Sequence, residues 1–147
     1  MNFLLVDDDP DDSLLFKEVL HDVNSSVGFT SAENGKAALS LLRSRAIPLP
    51  HIIFLDLNMP LMNGKECLSE LKQDAELMHI PVIIYTTSSQ SRDIEETMMG
   101  GALCFITKPT SLKDLRNILS QITASPLNNL EKTVRNLSNT ANTFIVC

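Results

Sequence analysis

Apolar positions along this chain fall into two periods. Phe3–Val6 (FLLV), Ile52–Leu55 (IIFL), Val82–Tyr85 (VIIY) and Leu103–Ile106 (LCFI) are near-continuous apolar runs rich in branched residues, the pattern of strands covered on both faces. Val27–Ala32 (VGFTSA) is a weaker run of the same kind. Between the runs, Leu14, Leu15, Val19 and Leu20, then Ala37, Ala38, Leu41 and Leu42, then Cys67, Leu68 and Leu71 recur at helical spacing, so each helix has one apolar side to lay on a sheet. Asp9-Pro10 offers an N-cap followed by proline at the first helical position, and Asn34-Gly35 and Asn63-Gly64 mark turns into the next two helices. The expectation is an α/β chain, a single (βα)5 unit with strand and helix alternating five times.

Such alternation predicts a doubly wound parallel sheet, in which functional groups gather beyond the carboxyl ends of the strands. Asp7, Asp8 and Asp9 follow the first run, Asp56 the third, Thr86 and Thr87 the fourth, and Lys108-Pro109 the fifth. The chain has 147 residues, 44% of them hydrophobic, with no apolar run of membrane-spanning length, which suits one globular domain. A formal net charge of −6 without a Lys/Arg stripe argues against nucleic acid or an anionic membrane as a direct partner. The N-terminus runs from a short apolar stretch into acids, the wrong order for a secretory signal, and a cytoplasmic location is expected. Cys67, Cys104 and Cys147 show no metal-like spacing and are odd in number, so buried or incidental thiols are expected in place of a disulfide or zinc site.

Carboxylates crowded at neighbouring strand ends repel one another unless a cation sits among them. Oxygen-only ligands suit Mg2+, which takes one or two carboxylates and completes its shell with phosphate and water. A carboxylate can also act as a nucleophile and become an aspartyl-phosphate, with the Lys108 ammonium and a threonine hydroxyl neutralising the transferred group. The wider acidic run DDDPDD otherwise reads as a helix start that favours the dipole, and Asp11 and Asp12 are assigned to that solvated role.

The acidic pair in VDD, the acceptor in LDLNMP, the hydroxyl in YTTS and the lysine in TKP together resemble the response-regulator receiver domain, the CheY-like family of two-component signalling. The resemblance spans residues 1–123 and implies the flavodoxin/CheY-like strand order 2-1-3-4-5. It implies that Asp7, Asp8 and Asp56, with the backbone carbonyl of Asn58, hold Mg2+. It makes Asp56 the phosphoacceptor for a sensor histidine kinase, has Thr86 and Lys108 bind the phosphoryl group, and expects Lys108-Pro109 to be cis. The domain would promote its own phosphorylation and dephosphorylation without being an enzyme in the ordinary sense. Phosphorylation would draw Thr86 inward and open space for Phe105 to fill from outside; ordinary packing of Phe105 in the fifth strand is the other reading. Where the family often has Ala or Gly after the threonine, this chain has Thr87, which narrows access. A haloacid-dehalogenase-like phosphohydrolase would need a second Asp two residues after the nucleophile, and Asn58 stands there. A module that signals without phosphorylation would have lost acceptor or metal residues, and none is missing.

Residues 124–147 begin with a Ser-Pro break, and Leu130, Val134, Leu137 and Ala141 follow helical spacing. They are expected to form an extra helix, on this domain or on a second copy, or a disordered tail. The segment is too short for an output domain, so the expected protein is a stand-alone regulator, a monomer or weak homodimer. It is either a terminal regulator or a shuttle to a histidine phosphotransfer protein.

Overall fold

The computed structural model describes residues 1–139 and 143–147. Five parallel strands, β1 (Asn2–Val6), β2 (Gly28–Ala32), β3 (Ile52–Leu55), β4 (Val82–Thr86) and β5 (Cys104–Thr107), alternate with α1 (Pro10–Val23), α2 (Gly35–Arg43), α3 (Gly64–Gln73), α4 (Ser91–Met99) and α5 (Leu112–Thr123). The sheet order is β2-β1-β3-β4-β5, followed at the β5 edge by a short sixth strand, the flavodoxin/CheY-like arrangement. The helix starts follow their local chemistry. Asp9 caps α1 ahead of Pro10, Asn34 caps α2, and Asn63 forms a capping box with Glu66 at α3.

Alternate strand residues feed two cores. Phe3, Leu5, Phe54, Ile83, Tyr85 and Ile106 pack with Phe16 and Leu20 of α1 and Ile118, Leu119 and Ile122 of α5. Phe16 anchors this side, its ring centroid 5.0 Å from Phe54 and 5.5 Å from Tyr85. On the opposite face, Leu4, Val6, Ile53, Leu55, Ile84 and Phe105 meet Leu39 and Leu42 of α2 and Cys67, Leu68 and Leu71 of α3. Each such side chain contributes about 1.5–3 kcal/mol on burial, and together they hold the strand ends rigidly. β2 is only half-buried because it has a single neighbour, which is why its sequence pattern is weak.

Beyond α5 the chain makes a 3-10 turn (Leu127–Asn129), the short helix α6 (Leu130–Arg135), a second 3-10 turn (Asn136–Asn139) and β6 (Ile145–Val146). Leu130, Val134 and Leu137 are buried in the α1/α5 core; Ala141 lies outside the described residues. β6 runs antiparallel to β5, pairing Val146 with Phe105 and Ile145 with Ile106. Continuing this register brings Cys147 opposite Cys104, and the two form a disulfide. The expectation of three unpaired thiols is therefore corrected: spacing along the chain does not reveal a pair that only the return through α6 brings together. Cys67 remains a buried thiol whose pKa burial pushes up to about 12, so it stays protonated and unreactive. No helix among the described residues is long and apolar enough to cross a membrane.

Candidate functional site at the carboxyl ends of the strands

β1 and β3 are adjacent and parallel, with Val6 paired to Leu55, so the residue after each emerges side by side. The Asp56 N–H donates to the Val6 carbonyl at 2.9 Å, and the Asp7 N–H donates to the Ala32 carbonyl at 3.0 Å. Asp7 and Asp56 are buried while Asp8 is exposed, and one carboxylate oxygen from each of the three lies within 4.8 Å of the others. Both buried acids are oriented by the backbone: Asp7 Oδ1 accepts from the Asp9 N–H at 3.0 Å, and Asp56 Oδ1 from the Leu57 N–H at 2.8 Å. Asp56 Oδ2 remains as the atom facing the pocket's cation.

That cation is Lys108, from the connection between β5 and α5. Its Nζ donates to Asp7 Oδ2 at 2.7 Å and to Asp12 Oδ2 at 2.8 Å, lies 3.6 Å from Asp56 Oδ2, and stands 5.8 Å from the Tyr85 ring centroid. Burial works to lower the Lys108 pKa, but the hydrogen bonds from its ammonium to Asp12 and Asp7 outweigh it and hold the pKa above the usual lysine range. Burial is the largest influence on Asp7 and raises its pKa, with the Asp56 charge acting the same way against the lowering effects of Lys108 and the Asp9 N–H. Three acids thus share one ammonium, and Asp8 adds a fourth carboxylate to the cluster without touching it. The oxygen-only donor set and this surplus of negative charge fit a hard divalent ion.

Two expectations are corrected here. Asp12 is not merely a solvated helix start, because it is ion-paired with Lys108. The Lys108-Pro109 peptide is trans, as is every other peptide bond among the described residues. The Lys108 N–H donates to the Thr86 carbonyl at 2.7 Å, extending the strand ladder, and Nζ reaches the acids from this trans geometry, the form X-Pro bonds favour by about 0.5–1 kcal/mol.

Thr86, the last residue of β4, is fully buried, and its Oγ1 accepts a long 3.5 Å hydrogen bond from the Ser88 N–H. Phe105 is also fully buried, on the sheet face that carries Ile84. Its ring lies inside the core on that face, and β6 pairs along the edge of its strand. Asn58 and Thr87 are exposed in the loops around the pocket. One contributor shows in the sequence only as a turn residue. Gly64 opens α3 directly against the acceptor loop, its N–H donating to the Leu57 carbonyl at 2.9 Å; its only sequence signal was the Asn63-Gly64 turn.

Comparison with known proteins agrees with this layout. The family described as "Response regulator receiver domain" matches residues 3–120. The chain belongs to this family. Response regulator Rcp1 of Synechocystis sp. (strain ATCC 27184 / PCC 6803 / Kazusa) is 36% identical over 123 residues, covering 81% of this chain and 84% of that protein. A crystal structure of the Mn(2+)-bound form of Rcp1 has a TM-score of 0.75 at 35% identity, covering 84% of this chain and 91% of that one. The phosphorylated cyanobacterial phytochrome response regulator RcpA has a TM-score of 0.76 at 27% identity, covering 97% of this receiver chain and 96% of its own. Histidine kinase P4 of Formosa agariphila (strain DSM 15362 / KCTC 12365 / LMG 23005 / KMM 3901 / M-2Alg 35-1) contains a segment 37% identical over 114 residues, 77% of this chain but 8% of that kinase. The protein is thus a signalling receiver domain of the two-component type.

Proposed function

We propose that residues 1–123 form a receiver that takes a phosphoryl group from the phosphohistidine of a sensor histidine kinase onto Asp56, in a Mg2+-dependent step. The observation that carries this reading is Asp56 Oδ2, oriented by the Leu57 N–H on its other oxygen and set 3.6 Å from the Lys108 ammonium. In the transfer the P–N bond to the histidine breaks and a P–O bond to Asp56 Oδ2 forms. Asp7, Asp8 and Asp56, with the Asn58 carbonyl, would hold Mg2+, which supplies charge neutralisation for the phosphoryl oxygens. Lys108 donates to one of those oxygens, and the Thr86 hydroxyl turns from its weak contact with Ser88 to donate to another. The Thr86 hydroxyl sits next to the ladder to β5, so its movement is the step that reaches Phe105 and the face made by α4, β5 and α5.

The output is a changed surface for a protein partner, the kinase itself or a histidine phosphotransfer protein among them, with no direct nucleic-acid or membrane contact. Exposed Leu14 and Leu15 on α1 and Leu112 on α5 offer an apolar landing beside the acids for such a partner. The Mn(2+)-bound Rcp1 and phosphorylated RcpA structures support a divalent ion and a phosphorylated state for this chain too. The proposed setting is the cytoplasm, with residues 124–147 an extension of the receiver, and the protein monomeric or weakly dimeric.

The test is treatment with acetyl phosphate and Mg2+ followed by mass spectrometry. One adduct of about 80 Da is expected on the wild type and none on Asp56→Asn. A full-yield adduct on Asp56→Asn overturns the assignment.

A further inference from the structure

Asp12 is the third residue of α1, a position where an acid ordinarily serves its own helix end. Here Asp9 alone caps that end, accepting from the Asp11 and Asp12 N–H groups at 2.9 and 3.2 Å. The Asp12 carboxylate instead reaches across to the β5–α5 connection, Oδ2 lying 2.8 Å from Lys108 Nζ. We infer that Asp12 is a positioning residue for phosphoryl transfer, holding the Lys108 ammonium beside Asp56 when the other acids are engaged with a metal ion. This rests on the function proposed above.

An ammonium has three donors. Two are taken by Asp7 and Asp12, and Asp56 Oδ2 at 3.6 Å is too distant for the third. That gap is where an oxygen of a phosphoryl group on Asp56 would meet Lys108. The two holding acids are not equivalent, because Asp7 belongs to the cluster able to take a cation and Asp12 does not. A divalent ion held by Asp7 would draw on the same carboxylate that holds Lys108 and would repel the ammonium. Asp12 then becomes the carboxylate that still touches Lys108 and stays outside the cluster. Its side chain is 39% exposed, so its pull is that of a partly solvated ion pair. Removing it should slow transfer roughly twofold to fivefold and not abolish it.

The experiment measures phosphoryl uptake at saturating acetyl phosphate and Mg2+ in wild type, Asp12→Asn, Asp12→Glu and Asp11→Asn, alone and in a Lys108→Met background. Asp12→Asn should slow the maximal rate by that factor and Asp12→Glu should restore it. Asp11→Asn, which removes the same helix-end charge without touching Lys108, should leave it unchanged. In Lys108→Met, Asp12→Asn should have no further effect. In 15N-lysine NMR with Mg2+ bound, the slowly exchanging Lys108 ammonium signal should broaden or vanish in Asp12→Asn. Equal rates and an unchanged lysine signal in Asp12→Asn, or a full slowing in the Lys108→Met background, overturn the role of Asp12. Absence of any adduct on the wild type overturns the underlying function instead.

Discussion

Replacing Gly64 with alanine tests whether the helix behind the acceptor loop holds Asp56 in place. A Cβ at Gly64 would lie 2.7 Å from Leu57 Cα and 2.9 Å from the Asp56 carbonyl carbon, and would press on the Asp56 carbonyl oxygen. Ordinary contact begins near 3.4 Å, and all three atoms are backbone, so no side chain can rotate away. α3 and the loop after β3 must separate by about 1 Å, at a cost of about 1–3 kcal/mol typical of overpacking. A displacement of that size at a reacting group costs up to about 10²-fold in rate. Gly64→Ala should therefore lower stability in urea titration by 1–3 kcal/mol, as estimated from overpacking, and slow acetyl-phosphate-driven uptake at Asp56 by roughly ten- to a hundredfold. Gly101→Ala is the matched control. Gly101 has φ 103° with Lys72 Cγ 3.3 Å from its would-be Cβ, and it lies at the α4–β5 turn away from the acids. It should lose about 1 kcal/mol or more of stability with the uptake rate unchanged. Wild-type uptake in Gly64→Ala, or equal slowing in Gly101→Ala, would refute the idea that α3 positions the acceptor.

Two further outcomes are expected. Reducing the Cys104–Cys147 bond opens a loop whose ends are 43 residues apart, a loss of about 4 kcal/mol by chain entropy; the urea midpoint of the wild type should fall with reductant, while Cys147→Ser starts low and does not respond. Mg2+ should raise the melting temperature at neutral pH in wild type and Asp11→Ala but not in Asp8→Ala. Burial raises the Asp7 pKa above its ordinary 3.8 in the metal-free fold, so protonation of Asp7 relatively favours that fold as pH falls. The Mg2+-induced gain should shrink on acidification before an ordinary aspartate would titrate, and a gain independent of pH down to that range would contradict it.

The alternation of apolar runs and amphipathic helices determined the α/β class, the five parallel strands and the strand ends at which Asp7, Asp56, Thr86 and Lys108 stand. These are local properties: a strand buried on both faces must be apolar throughout, and polar residues at its end mark where it leaves the core. Caps such as Asp9 and Asn63 were legible for the same reason, since a helix end is satisfied by its immediate neighbours. What escaped the sequence depends on residues far apart in it. Asp12 looks like any acid in a first helical turn until α1 and the β5–α5 connection are packed together, and then it is an ion-pair partner of Lys108. Gly64 looks like a turn residue until α3 lies on the acceptor loop. Cys104 and Cys147 become a pair only when β6 folds back on β5, and that same strand buries the edge of Phe105. Pairing, close approach and charge sharing are decided by distance in space, and distances between remote segments exist only once the chain is folded.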